Sequence, residues 1–250
     1  MLSGFYTIAS GILTRQHQID VIGNNLTNIN TPGYKTETAL IGTFEQEMLI
    51  RLEDKSENNL SPSMSTSAII TDVQTLYSTG LMSETGRTLD MAINGEGFFE
   101  IAGDDGQQYI TRVGQFDLDT EGYLILPGIG RVQSTSGDIQ IGTDKFTVGK
   151  DGIILDAEGS EIATLSLVTV ADGVDLIKHS NNMYSVQEGD ELLQATGELL
   201  QGISELSNVD MNLEMTRLIA AQRGFQSCSA ALQIMDSINS KAISQLGSLS

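Results

Sequence analysis

The stretch VIGNNLTNINTPGYK, from Val21 to Lys35, decides how this chain is organised. Its apolar residues Ile22, Leu26 and Ile29 recur at the spacing of a helical face, and the stretch contains four asparagines and no acidic residue. Pro32-Gly33 then ends the helix, because proline lacks an N–H group and disfavours helix in the residue before it. We therefore predict a helix over residues 3–30, capped at Ser3, that carries uncharged amides near its end.

The same helical spacing extends upstream and returns at the other end of the chain. Apolar residues at Phe5, Ile8, Ile12 and Ile19 continue the pattern as a heptad stripe. Residues 207–249 repeat it, with Ser207-Asn208 as the expected cap and about 40 residues, or roughly 60 Å, of helix. A helix this long with a heptad pattern is typical of a coiled coil, so we predict that the two terminal helices pair in one.

The middle of the chain has the pattern of short strands. Turn sequences at 104–106, 119–122, 150–152 and 156–159 separate β-prone runs, and residues 162–170 alternate as one strand. The sequence therefore predicts an α+β protein with a central antiparallel β domain. Its expected divisions are a helical domain at 1–35 and 207–250, a linker with a short helix at 36–67, and a β domain at 68–206.

Composition excludes several classes of protein. A net charge of −20 with no basic run disfavours nucleic acid as a partner. No apolar window is long enough for a transmembrane helix, and the N-terminus lacks the basic and apolar regions of a signal peptide, so we expect no membrane insertion and another export route. Cys228 is the single cysteine, which excludes an intrachain disulfide.

Motifs for catalysis or cofactor binding fail when their spacing is tested. Gly95 and Gly97 begin a dinucleotide-loop pattern, but its third glycine would fall at Glu100, so we interpret them as a turn between strands. Residues 117–123 resemble the start of a calcium loop, but its twelfth position is Gly128 instead of glutamate, which favours a hairpin and leaves weak calcium binding open. We predict no catalytic residue, no metal site and no cofactor.

Six blocks of sequence, in order, resemble the bacterial flagellar rod and hook protein family. NNLTNINTPGYK at 24–35 is similar to the family's N-terminal signature, and LDMAINGEGFF at 89–99 and YITRVGQF at 109–116 are similar to its central strands. GYL at 122–124, VGKDG at 148–152, and SNVD at 207–210 with AQRGF at 221–225 complete the series. The length of the chain and the motif LDMAINGEGFF are most similar to those of the family's two related rod proteins, the proximal and the distal one. The sequence does not decide between these two.

The resemblance implies a structural subunit that polymerises into the flagellar rod, transmits torque from motor to hook and forms the wall of the export channel. Its implied partners are further copies of itself, other rod and hook subunits, and a surrounding basal-body ring. Its implied location is the periplasmic rod of the basal body, reached by the flagellar type III export system without a cleaved signal peptide.

Assembly would use the helical stripes and the amide cluster, since asparagines both donate and accept hydrogen bonds without placing a charge in an inner layer. Local capping of one helix end by asparagine is the alternative interpretation of the cluster. The candidate assembly residues are Ile8, Ile12, Ile19, Ile22, Asn24, Asn25, Leu26, Asn28, Ile29, Pro32, Gly33, Asn208, Val209, Leu218, Gln222, Arg223, Phe225, Leu232, Met235 and Leu246.

Three other functions are set against the rod hypothesis. A flagellar hook protein is the alternative within the same structural class. A secreted β-rich adhesin with a coiled-coil stalk would carry a signal peptide and lack the family blocks. A glycan hydrolase would need a pair of carboxylates across a cleft, which sequence alone does not place.

Overall fold

A long helix lies at each end of the described chain. The computed structural model describes residues 2–43, 68–103, 106–171, 174–187 and 191–247. Helix α1 spans Leu2–Thr27 and helix α2 spans Met211–Gly247, which at 37 residues is about 56 Å long. The predicted helices are thus confirmed, with ends that differ by a few residues.

The caps of the two helices differ from those predicted. Ser3 lies inside α1, so it is not the cap. Helix α2 is capped by Asp210, whose carboxylate accepts hydrogen bonds from the N–H groups of Asn212 and Leu213 at 2.9 and 3.2 Å. The prediction of a cap at Ser207-Asn208 was wrong because the Asn208 amide instead donates to the Ser78 carbonyl at 3.0 Å.

Between the helices, the described chain forms short strands, and every pairing between them is antiparallel. The strands are β1 Glu37–Thr43, β2 Ala68–Thr75, β3 Met82–Glu84, β4 Met91–Asn94, β5 Phe98–Gly103, β6 Gln108–Thr111, β7 Asp117–Leu118, β8 Leu124–Leu126, β9 Gly130–Ser134, β10 Gly137–Asp138, β11 Phe146–Val148, β12 Ile153–Asp156, β13 Glu161–Thr164, β14 Leu167–Val170, β15 Ile177–Lys178, β16 Met183–Ser185, β17 Leu192–Gln194, β18 Glu198–Gln201 and β19 Ile203–Glu205.

The largest sheet has the strand order β15-β16-β6-β5-β9-β8-β7, with β10 paired to β9, β14 paired to β5, and β17 paired to β14. Smaller sheets are β11-β12-β13, β18-β4, β19-β3 and β1-β2. The main core contains Phe99, Ile101, Phe116, Leu124 and Ile154, each at most 1% exposed. The class, α+β with a central antiparallel domain, is confirmed.

The described residues pack into two units. Unit 1 contains those within Met1–Thr27, Thr36–Leu76 and Val209–Ser250, and unit 2 contains those within Asn28–Lys35 and Tyr77–Asn208. Residues 37–43, which the sequence analysis places in a linker, form β1 and pair with β2 in unit 1. The short helix expected over residues 44–52 lies outside the described residues.

Two local predictions have opposite outcomes. Residues 162–170 do not form one strand, because Leu165 and Ser166 leave it to bond Gly152 and Gln133, and the run divides between β13 and β14. The hairpin predicted at 117–123 is confirmed: β7 pairs with β8, and the Gly122 N–H donates to the Asp119 carbonyl at 2.9 Å. The turn at Gly95 and Gly97 is also confirmed, with φ of 113° and 135° between β4 and β5.

Candidate assembly surfaces

Helices α1 and α2 pack antiparallel in unit 1, in a one-to-one register. A methyl group built on Gly4 would lie 3.4 Å from the Met235 Cε atom, and one on Gly11 would lie 3.5 Å from the Cys228 sulfur. Further along, Asn25 bonds Glu214. From Gly4 to Asn25 the numbering rises by 21, while from Met235 to Glu214 it falls by 21. The antiparallel register is therefore kept over 21 residues of each helix, the length of three heptads.

Asn25 is the residue that ties the helix pair to strand β1. It is fully buried, and its Nδ2 atom donates to the Glu37 carbonyl at 2.8 Å and to the Glu214 carboxylate at 3.2 Å. Its Oδ1 atom accepts from the Glu37 N–H at 3.0 Å. Arg217 donates to the other oxygen of Glu214 at 2.7 Å, so the buried carboxylate is paired. Asn25 therefore acts inside the subunit.

The other predicted asparagines also have partners within the chain. Asn24 is exposed and donates to the Glu37 carboxylate at 3.2 Å. Asn28 lies just beyond α1 and accepts from the Thr31 hydroxyl at 3.1 Å. Asn208 bonds the Ser78 carbonyl, so it fixes a loop of unit 2.

The Pro32-Gly33 pair places the following residues in the core of unit 2. Gly33 has φ of 68°, and a Cβ atom there would lie 2.7 Å from the Val113 nitrogen, so only glycine fits. Its N–H donates to the Glu205 carbonyl at 2.8 Å. Tyr34 and Lys35 follow, and each is 1% exposed.

Lys35 belongs to a buried charge cluster that the sequence analysis did not find. The Glu205 carboxylate lies 2.6 Å from Lys35 Nζ and 3.5 Å from an Arg112 nitrogen, and it accepts from the Gly80 N–H at 2.7 Å. Burial lowers the pKa of both Lys35 and Arg112, and Glu205 opposes that shift by stabilising their charged forms. One carboxylate thus compensates two buried cations.

The apolar stripe residues among the candidate assembly residues are half-buried where their side chains are described. On α1 these residues are Ile8, Ile12, Ile19, Ile22 and Leu26, and on α2 they are Leu218, Phe225, Leu232 and Met235. Ile29, Pro32 and Val209 are also half-buried, whereas Gln222 and Arg223 are exposed. The side chain of Leu246 lies outside the described residues.

A second set of apolar side chains, here called the outer apolar residues, is exposed on the same helices. Large hydrophobic side chains are rarely left in water in such numbers unless they meet a partner. None of them is among the candidate assembly residues, although Phe5 belongs to the α1 stripe and Ile219, Ile234, Ile238 and Ile243 widen that of α2. The outer apolar residues are Phe5, Tyr6, Leu13, Met211, Leu213, Met215, Ile219, Ile234, Ile238 and Ile243.

Charge is divided unevenly along the chain. Helices α1 and α2 together contain three acidic and four basic side chains, a net charge of +1. Residues 77–208 contain 22 acidic and six basic side chains, a net charge of −16. Two copies of this chain would repel each other through the segment 77–208 but not through their helices.

The described residues offer little for chemistry. Nowhere among them do three or more His, Cys, Asp or Glu side chains gather in a way that could hold a metal ion. None of the helices in the described part of the chain has the length and hydropathy needed to cross a membrane.

The two terminal helices are paired, expose apolar residues and have almost no net charge. The β domain between them in the sequence is acidic. This combination is typical of a self-assembling structural subunit. Three family models match the chain: "Flagella basal body rod protein" at residues 5–35, "Flagellar hook protein FlgE/F/G D1 domain" at 92–156, and "Flagellar basal body rod FlgEFG protein C-terminal" at 200–246.

Whole-length relatives agree with these models. The chain is 36% identical to the flagellar basal-body rod protein FlgG of Bacillus subtilis, over 95% of this chain and 97% of that protein. It is 30% identical to the rod protein FlgF of Caulobacter vibrioides over the full length of both. It is 26% identical to the flagellar hook-basal body complex protein FlhO of Bacillus subtilis, also over the full length of both. The chain belongs to the flagellar basal-body rod protein family.

Proposed function

We propose that this chain is a structural subunit of the bacterial flagellar rod, located in the basal body, and that its copies polymerise through their terminal helices. The observation that carries the proposal is the exposure of the outer apolar residues on helices with a net charge of +1. Burying apolar surface is the main favourable term in association, at about 25 cal/mol per Å². On these helices no net repulsion opposes it.

The intersubunit contacts belong to the outer apolar residues, together with exposed members of the predicted set such as Asn24, Gln222 and Arg223. Asn25 and Gly33 act within the subunit, since both are buried in it. The α1 and α2 stripes pack against each other as an antiparallel coiled coil in this proposal, and their one-to-one register over three heptads supports it. The helical parts at 1–35 and 207–250 form the polymerisation domain, and residues 68–206 form the central β domain.

The mechanism is assembly without catalysis. Head-to-tail contacts that do not close generate helical polymers, and a polymer of paired helices transmits torque from the motor to the hook. The nearly neutral helices form the channel wall, and the acidic residues 77–208 meet water or a surrounding ring. Subunits reach this place through the flagellar type III export system, and their partners are further copies and other rod and hook subunits.

The test is deletion of the gene in its host, complemented with Ile234→Glu. Ile234 is 61% exposed, so a glutamate there leaves the fold of the monomer intact but brings a charge into the proposed contact. We expect basal bodies with a missing or short rod and no hook in the deletion strain, and no rescue by Ile234→Glu. Leu81→Glu is the matched control, because Leu81 is 77% exposed in unit 2, and it should restore motility.

Electron microscopy of isolated basal bodies shows directly whether the rod and hook are present. Intact rods, hooks and filaments in the deletion strain would contradict the assembly role. If Ile234→Glu restores motility as completely as Leu81→Glu does, the proposed contact through the helices is contradicted. Circular dichroism of the purified variants verifies that both fold.

A further inference from the structure

Unit 1 contains a cavity between α1, α2 and β1. Its volume is about 270 Å³, and Val21 and Ile22 of α1, Ala39 of β1, and Ala220 and Ala221 of α2 form its apolar part. A cavity of about 150 Å³ with apolar walls is large enough for a benzene molecule, so this one has room for an aromatic side chain.

The charged groups at this cavity are already paired within the chain. Arg217 donates to Glu214 at 2.7 Å, Arg15 donates to the side-chain Oε1 atom of Gln18 at 2.7 Å, and the Glu37 carboxylate accepts from Asn24 at 3.2 Å. Two arginines and two glutamates balance each other at the cavity. An uncharged apolar group is therefore the kind of ligand that fits it.

The tip of α1 offers such a group. Tyr6 is 66% exposed, more than any other aromatic side chain among the described residues, and its ring lies edge-on to that of Phe5 at 6.3 Å. Residues 1–14 contain no charged side chain. In a chain whose residues 77–208 have a net charge of −16, this neutral tip approaches another copy without repulsion.

Tyr6 cannot reach the cavity of its own chain. It lies 16 residues from Ile22 along α1, which is about 24 Å on a straight helix. The tip of α1 and the cavity are thus far apart along one helix pair. The tip of one copy can therefore meet only the cavity of another copy.

We propose that the cavity formed by Ile22, Ala39 and Ala220 receives Tyr6 of the next copy of this chain. The contact is heterologous, since the tip and the cavity are different surfaces, and each added copy presents a new tip or a new cavity. Such a contact makes an open polymer instead of a closed dimer. The inference rests on the proposed polymerisation through the terminal helices and names the residues that carry it.

Disulfide cross-linking tests the contact in the complete chain. The background is Cys228→Ala, which removes the single native thiol, and the paired change is Ser10→Cys with Ala220→Cys, which leaves the Tyr6 ring in place one helical turn away. These positions are too far apart in one chain to join, because a disulfide needs Cα atoms within about 7 Å. After oxidation of cells that assemble flagella, we expect a ladder of dimers, trimers and longer species. Cells producing a mixture of the two single variants should give dimers only.

Three outcomes overturn the inference. In one, the chain enters basal bodies but gives no ladder. That result would contradict this contact but not the proposed polymerisation. Another is an equal ladder from Ser10→Cys with Leu193→Cys, because Leu193 is 48% exposed in unit 2 and such a ladder would show non-specific collision. A third is a trimer from the mixture of single variants. Absence of the chain from basal bodies altogether, with normal rods, would overturn the proposed function as well.

Substitution without cysteine gives an independent measurement. Tyr6→Ala removes the aromatic group from the contact and should reduce incorporation into basal bodies by about tenfold or more, the effect of losing one buried aromatic side chain. Tyr6→Phe should retain incorporation, since the cavity is apolar. Equal incorporation of Tyr6→Ala and the Leu81→Ala control would contradict the contact.

Discussion

Replacing Glu205 by glutamine tests the buried charge cluster of unit 2. The carboxylate lies 2.6 Å from Lys35 Nζ and 3.5 Å from an Arg112 nitrogen, and the side chains of Lys35 and Glu205 are each 1% exposed. Glutamine keeps the shape but leaves two buried cations without an anion. Removing one partner of a buried pair costs about 3–5 kcal/mol, a large part of the 5–15 kcal/mol by which proteins are typically stable.

Urea unfolding of the full chain measures that loss. Five of the six tyrosines lie in unit 2, at Tyr34, Tyr77, Tyr109, Tyr123 and Tyr184, so tyrosine fluorescence reports mainly on this unit. The matched control is Glu198→Gln, which breaks the exposed pair of Lys150 and Glu198 at 3.2 Å and should cost less than about 1 kcal/mol.

The double variant Lys35→Met with Glu205→Gln sharpens the test. It removes one of the two unpaired cations, so it should unfold at a higher urea concentration than Glu205→Gln alone. If Glu205→Gln costs no more than Glu198→Gln, the carboxylate does not compensate buried charge and the reasoning fails. If the double variant is less stable than the single one, lysine contributes through packing and not through its charge.

Three other predictions concern local structure and assembly. Asp210→Ala removes the cap of α2 and should lower stability by about 1 kcal/mol in thermal unfolding followed by circular dichroism at 222 nm; no change would show that the cap is dispensable. Gly33→Ala should destabilise the chain because of its positive φ and its 2.7 Å approach to Val113, whereas Gly23→Ala, in open space on α1, should stabilise it by about 0.5–1 kcal/mol; urea midpoints that move in the same direction would contradict this. Polymerisation of the purified chain, followed by light scattering, should increase with salt between about 0.05 and 0.5 M, because screening weakens repulsion between segments of net charge −16; slower assembly at high salt would mean that ion pairs hold the contact.

The long helices could be predicted from sequence because their signal is local. A stripe of apolar residues every three or four positions needs no knowledge of the partner. The strands of the β domain were predicted for a similar reason, since glycine turns and the alternation of apolar and polar residues are recognisable within a few residues. The run 162–170 shows the limit: its alternation is regular, but Leu165 and Ser166 bond residues of other strands and divide it.

The buried charge cluster could not be predicted from sequence. Lys35 lies in a segment that reads as a helix end, and Glu205 lies 170 residues away in a strand. A lysine and a glutamate are usually exposed, so their burial depends on contacts between distant segments. The strand β1 was missed for the same reason, because it ends at Thr43 and its partner β2 begins only at Ala68.

The sequence by itself determined the two helices, the antiparallel β character of the middle of the chain, and the family. Each of these depends on the spacing of apolar residues or on motifs within a short stretch. The tertiary structure alone decided what those residues do. It paired Asn25 with Glu214, held α1 and α2 in a one-to-one register, and left Tyr6 and Ile234 in water. The physical reason is that an apolar pattern shows which side of a helix must be buried, whereas the register and topology of the folded chain determine which side is left for another subunit.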